Sequence, residues 1–334
     1  MLPALALAAG LTSFAIAPGG DTTLAVTPGM NLSVANYAGE VFIEGWDKNA
    51  IRIRTDHSDE DKVMVTPAQG SISVKAFSKH EDDRIADLRL IVPVWMNVAI
   101  SGIHTDVIVT GTKGQVKVET VHGDVIVRGG RRRIDLNTVN DDICVSDAAG
   151  VVRAETVNGD AYVWRTVSDS VDVSTVNGDV VYEGSMGPHG TYRFTSHNGD
   201  ISVAMPRSAS AAVAVSTFSG DFESNFPVTL TGTQNPKRFQ FCVGNCSARV
   251  ELESFQGTIQ LYRSAAAPGE RVQRINEIVD RIIEKRLEKN MNLEGRIEER
   301  IDEARRKAQK YLERSKKRSG EKYDGKEEAE NSGE

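Results

Sequence analysis

The sequence predicts an all-β protein built as a parallel β-solenoid, with an irregular β region before it and a long α-helix after it. Three observations predict this. A nine-residue unit recurs from about Gly114 to Val203, as in KGQVKVETV, HGDVIVRGG, RRRIDLNTV and NDDICVSDA. Each unit places an apolar-x-apolar strand after a turn and has too little apolar surface to bury alone, so neighbouring units must stack. Beyond Pro268-Gly269 the pattern changes abruptly to charged residues, with apolar ones every three or four positions.

The elements follow in order. Residues 1–17, MLPALALAAGLTSFAIA, are apolar, carry no charge and are too short for a membrane span. Ala15-Ile16-Ala17 has the small-x-small form of a cleavage site, so this stretch reads as an export signal whose basic start is missing. A buried apolar N-terminal strand is the alternative. Residues 21–100 contain irregularly spaced strands such as TTLAV, AIRIRT and SISVKAF, which suit antiparallel or edge structure. The repeats occupy 101–265, with departures at Pro206–Ala212 and Asp221–Gly257. Residues 268–318 form the helix, marked by Val272, Ile275, Val279 and Ile282 and again by Ile297, Ile301, Ala304 and Ala308. The polar tail 319–334 is expected to be disordered.

Within the repeats, alternate side chains point to opposite sides of each strand. The inward set runs from Val116/Val118 and Val125/Val127 to Tyr192/Phe194 and Ile201/Val203, and β-branched residues dominate it. Two units make one coil of about 18 residues, so alternate units stack about 4.8 Å apart. Lys117, Asp135, Arg153, Asp172 and Arg193 then form an outward column whose signs alternate, which favours this register. The opposite face carries Ile126, Cys144, Tyr162 and Val181, with Trp164 beside Tyr162. An apolar strip of that size is expected to be covered by the C-terminal helix or by another protein subunit.

One edge repeats an aspartate: Asp124, Asp142, Asp160 and Asp179, then Asp200 and Asp221 in looser copies. Asp at such corners caps backbone N–H groups, and Asn-Gly supplies the tight turn. Carboxylates stacked about 5 Å apart would repel by about 0.8 kcal/mol per pair in bulk water, so they should splay or recruit a cation. Turn capping is the expected role. Calcium is the sharper alternative, because oxygen-rich rows bind hard cations. No other cofactor is expected.

Of three cysteines, Cys242 and Cys246 enclose a short loop suited to a disulfide in an oxidising compartment, and Cys144 is left over. The net charge is −7, and residues 1–267 hold 22 basic against 30 acidic side chains. That balance excludes an extended phosphate-binding surface, so no nucleic-acid partner is expected, and Arg131-Arg132-Arg133 reads as a solvated corner. No HExxH, GxSxG or P-loop is present. His122 and His197 read as solvated turn residues.

The segment GEVFIEGWD (39–47), Ile91-Val92-Pro93, the repeated Asn/Ser-Gly-Asp turns and Val203-Ala204-Met205-Pro206 together resemble the bacterial "putative adhesin" β-strand-repeat family, related to auto-transporter adhesin heads. The resemblance covers roughly Gly39 to Leu261. Two departures stand out: Gly102 is followed by Ile103 rather than Asp, and Asp141 replaces a turn glycine. The resemblance implies an exported right-handed solenoid and carries over no catalytic residues. The expected function is a non-enzymatic cell-envelope scaffold or adhesion module that meets a surface glycan or protein. No membrane contact beyond export is expected. The alternative is a calcium-dependent polysaccharide-active enzyme using the Asp edge with Arg128 or Arg153.

Overall fold

The computed structural model describes residues 12–58, 61–78, 86–226 and 237–264. Every regular element among them is a β-strand. The expected helix and tail lie outside the described residues.

The central repeats pair in parallel at the predicted period. Val125–Arg128 lies against Ile143–Ser146, with Val125 opposite Ile143 and Val127 opposite Val145, 18 residues apart. Arg133–Asn137 lies between Val116–Glu119 and Ala149–Glu155 in the same way. The inward residues are sealed: Val118, Val127, Leu136, Val145, Val163, Val173, Phe194 and Val203 have no exposed surface. Branched side chains dominate because they fill a pleated surface well. Later coils replace them with Tyr182, Tyr192 and Phe194. The Tyr182 hydroxyl donates to Ser185 O at 2.8 Å, and the Tyr192 hydroxyl donates to Ser168 O at 2.7 Å while accepting the Gly187 N–H. Each large ring therefore enters the core without leaving its polar tip unpaired.

Lys117, Asp135, Arg153, Asp172 and Arg193 form one column in the predicted register, which Glu251 extends. Their ion pairs run mostly along the strands rather than between coils. Lys117 meets Glu119 at 2.7 Å, Arg133 meets Asp135 at 3.1 Å and Arg153 meets Glu155 at 2.5 Å. Residues i and i+2 share a face, so the nearest opposite charge is on the same strand. Arg193–Glu251, at 2.8 Å, is a pair that does cross between coils.

The N-terminal part joins the same stack. Asn31–Trp46 pairs in parallel with Asn97–Thr110, setting Val34 opposite Ile100 and Val41 opposite Val107. The boundary expected near residue 100 falls inside that strand. Between the two, Ala50–His57 pairs antiparallel with Ala86–Pro93, and Asp61–Ala68 with Ser71–Ser78. One apolar cluster runs from Ile16 to Leu261. Of the stretch read as an export signal, residues 1–11 lie outside the described ones, and Phe14–Ile16 pairs antiparallel with Asp61–Ala68. Ile16 is buried, so cleavage after Ala17 would remove one edge strand.

At the other end the order of stacking departs from the order of the chain. Val180–Asn198 and Ile201–Met205 are followed by Ala248–Gln256 and Ile259–Arg263. Ala211–Thr217 stands one place further out, parallel to Ala248–Gln256 and antiparallel to Arg238–Val243. The later coil is thus inserted beneath the earlier one.

Candidate binding face

At one corner of each coil the same pentad recurs, and stacking turns each of its positions into a column. Its aspartates form a hydrogen-bonded spine. Asp106 Oδ1 accepts the Asp124 N–H at 3.0 Å, Asp142 Oδ1 accepts that of Asp160 at 2.8 Å, and Asp160 Oδ1 accepts that of Asp179 at 2.7 Å. Asp179 Oδ1 does the same for Asp200, and Asp200 Oδ1 for Thr258, both at 2.8 Å. The Asp124–Asp142 step is the longest, at 3.4 Å.

The carboxylates accept backbone N–H groups, as expected of capping residues, and the amide that each one holds is that of the next coil. Asp221 is not the successor of Asp200, because the inserted coil puts Thr258 there and leaves Asp221 opposite Thr258 on the far side. The cost of crowding shows at Asp142, whose carboxyl titrates above its ordinary value, first through burial and then through the charges of Asp160, Asp124 and Asp141. Among the described residues no three acidic, histidine or cysteine side chains converge as a metal site would require.

The asparagines make a parallel ladder. Asn158 Nδ2 donates to Asn140 Oδ1 at 2.9 Å, Asn177 to Asn158 at 2.8 Å and Asn198 to Asn177 at 2.7 Å. His122 and His104 continue this column as stacked rings 4.7 Å apart. The glycines permit close approach. A Cβ at Gly178 would lie 2.0 Å from Gly159 O, and one at Gly199 would lie 1.9 Å from Gly178 O.

The position before the asparagine faces solvent. Ile103, Val121, Val139, Val157 and Val176 occupy it in successive coils, each about two-fifths exposed. The register continues the column through His197 and Phe255 to Phe218. There the side chains change from aliphatic to aromatic. His197 and Phe255 stack at 4.6 Å between centroids, and Phe255 and Phe218 stack at 4.6 Å with planes 2° apart. Phe218, at the end of the stack, is 68% exposed. Beside the rings a depression of about 630 Å³ is lined by Val176, Lys237, Arg238 and Glu253 among others. An exposed apolar row ending on an open aromatic face is suited to holding a flat apolar surface, such as one side of a sugar ring or a planar side chain.

Sequence reasoning missed this column. His197 is an exposed turn residue, as expected, but it also belongs to the row, between Val176 and Phe255. The signal was there in the pentads themselves: TVNGD, SHNGD, TFSGD and SFQGT align on one apolar or aromatic second position.

The other expected site residues lie elsewhere. Ile126, Cys144 and Val181 stack in register with Tyr162 on the side of the strand opposite the core, and Trp164 lies on that side two residues along. Tyr162 is partly buried and its hydroxyl donates to Asp160 Oδ2 at 2.6 Å; burial and this bond push its pKa up. Burial also raises the Cys144 thiol, helped by the charges of Asp142, Asp124 and Asp160. Cys242 and Cys246 are joined by a disulfide. Asn245, within that loop, donates its backbone N–H to Ser210 Oγ at 2.7 Å.

Solved structures that match the chain include a "putative cell adhesion protein" from Clostridium sporogenes and a "putative adhesin" from Bacteroides fragilis. The first is 10% identical over 73% of this chain and 98% of that one, with a TM-score of 0.23. The second is 11% identical over 73% and 95%, with a TM-score of 0.36. No curated protein matches the chain. Residues 20–262 match the family described as Toastrack DUF4097, a stretch that runs from just before Asp21–Ala25 into the final strand, Ile259–Arg263. The chain therefore belongs to the Toastrack DUF4097 family.

Proposed function

We propose that this chain is a non-enzymatic, extracytoplasmic binding module of the cell envelope. In this reading it is a right-handed solenoid that presents its exposed column to a surface polysaccharide. The observation that carries the reading is the run from Ile103 to Phe218, uninterrupted and solvent-facing, with an open aromatic ring at its end. A rigid stack holds such a row straight, so a linear polymer can follow it over several coils. The disulfide supports an oxidising location, where such bonds persist. The polysaccharide-cleaving alternative needs aspartates free to move protons or hold calcium, whereas the Oδ1 atoms of the spine accept amide hydrogens.

The experiment is an array of bacterial envelope polysaccharides probed with the full chain, followed by titration of the best binder. Phe218→Ala and Phe255→Ala should each weaken binding about tenfold, since loss of one stacked ring is worth about 1.4 kcal/mol or a little less. Both side chains are exposed, so the fold should persist. Binding that neither substitution weakens, or an array on which nothing binds, would overturn the reading.

A further inference from the structure

The second apolar surface calls for a different partner. On the strands that follow the aspartate corners, Ile108, Ile126, Cys144 and Val181 alternate with core residues and so point away from the core. They are nevertheless buried: Ile108 and Ile126 are 2% exposed, Cys144 3%, Trp164 4% and Val181 8%. None of them belongs to the main apolar cluster. No register pairing among the described residues sets a strand over them, because the strands meet edge to edge.

The chain itself leads to this strip. Its last strand, Ile259–Arg263, stacks Gln260 on Ser202 and Tyr262 on Ala204, which continue the outward face. Ser202 and Ala204 are themselves 3% and 1% exposed. Ser264 then donates its hydroxyl to Glu183 Oε1 at 3.0 Å. Glu183 is the register neighbour of Trp164 and lies two residues from Val181. The chain therefore leaves the sheet turned back over the strip.

We propose that the segment from Glu270 onward lies as a helix along this strip in the same molecule, with Val272, Ile275, Val279 and Ile282 seated on it. The dimensions agree. Six steps separate the coil of Ile108 from that of Gln260, which at about 4.8 Å each is about 29 Å. A helix covers that length in about 19 residues at 1.5 Å per residue. The seam 272–282 lies in the first part of that run, and the segment has no proline after Pro268. This surface and the column ending at Phe218 are separate, so neither proposal depends on the other.

Cys144 is a native reporter, since it sits mid-strip and the other cysteines are joined to each other. In the full-length protein, N-ethylmaleimide should label Cys144 slowly, at a rate independent of protein concentration. Ile275→Asp combined with Ile282→Asp should speed labelling at least tenfold without altering the strand signal in circular dichroism. Glu284→Gln, off the seam, should leave the rate unchanged. Labelling as slow in the double variant as in the parent would overturn the proposal. So would protection in the parent that is lost on dilution, since the cover would then be a second copy.

Discussion

Gly178→Ala is expected to destabilise the domain by about 3 kcal/mol, the upper end of what overpacking usually costs. The added methyl would sit 2.0 Å from Gly159 O and 2.6 Å from its carbonyl carbon. Both are backbone atoms, and neither coil is free to retreat. Gly159 donates its N–H to Asn177 O, and Gly178 donates to Asn198 O, each at 3.1 Å. Parting the coils here would stretch these bonds, the Asp160–Asp179 bond and the Asn158–Asn177 step together. Gly70→Ala is the matched control. Gly70 has φ +82 with nothing within 4 Å of the site of a Cβ, so only the backbone conformation is penalised, at about 1–2 kcal/mol. Urea unfolding of the two variants should therefore give clearly different midpoints. Equal losses would mean that coil-to-coil approach is not what the turn glycine serves.

Asp160→Ala should cost about 2 kcal/mol, because it leaves both the Asp179 N–H and the Tyr162 hydroxyl without their acceptor. Asp142→Asn should behave in the opposite way. Asparagine keeps an oxygen for the Asp160 N–H and removes a charge that burial and three neighbouring aspartates oppose. The pH dependence follows from the direction of the shift. A carboxyl whose folded pKa is raised binds its proton more readily in the native state, so the folded protein loses stability as pH rises through that value. The asparagine variant lacks this loss. It should match or exceed the parent at pH 7, and the advantage should vanish below the ordinary aspartate pKa of about 3.9. An Asp142→Asn variant that is weaker at pH 7 would show that the ionised carboxylate itself holds the spine together.

The repeats were legible because their register depends on local pattern. Val116 to Phe194 alternate inward and outward with period two, and a spacing of 18 keeps both faces in phase through Asp142 and Asp160 before it lengthens to 19 and then 21 in later coils. The insertion of Ala248–Arg263 beneath Ala211–Ser224 was not legible. Thr217-Phe218-Ser219-Gly220-Asp221 fits the next coil as well as Ser254-Phe255-Gln256-Gly257 does, and only tertiary pairing decides between them. The N-terminal strands looked irregular because residues 47–96 interrupt the chain between two strands that stack directly. The spine was half legible. Aspartate at each corner announced a cap, but the period alone does not say which coil's amide is capped.

The aromatic row shows why function was harder to read than fold. Each of Val176, His197, Phe218 and Phe255 is unremarkable in its own turn, and only superposing coils makes them one surface. Everything said of that surface rests on the corner pentads lying directly above one another.

Cysteine pairs test this most directly. Val139 and Val157 are exposed, and the Asn140–Asn158 bridge beside them places them on adjacent coils, with Cα atoms about 4.8 Å apart, within disulfide range. Val139 and Val176 are two coils apart, at about 9.6 Å, beyond that range. Under mild oxidation, Val139→Cys/Val157→Cys should close to a disulfide within one chain, and Val139→Cys/Val176→Cys should stay reduced. Closure of the second pair and not the first would contradict the in-phase stack and the continuous face built on it.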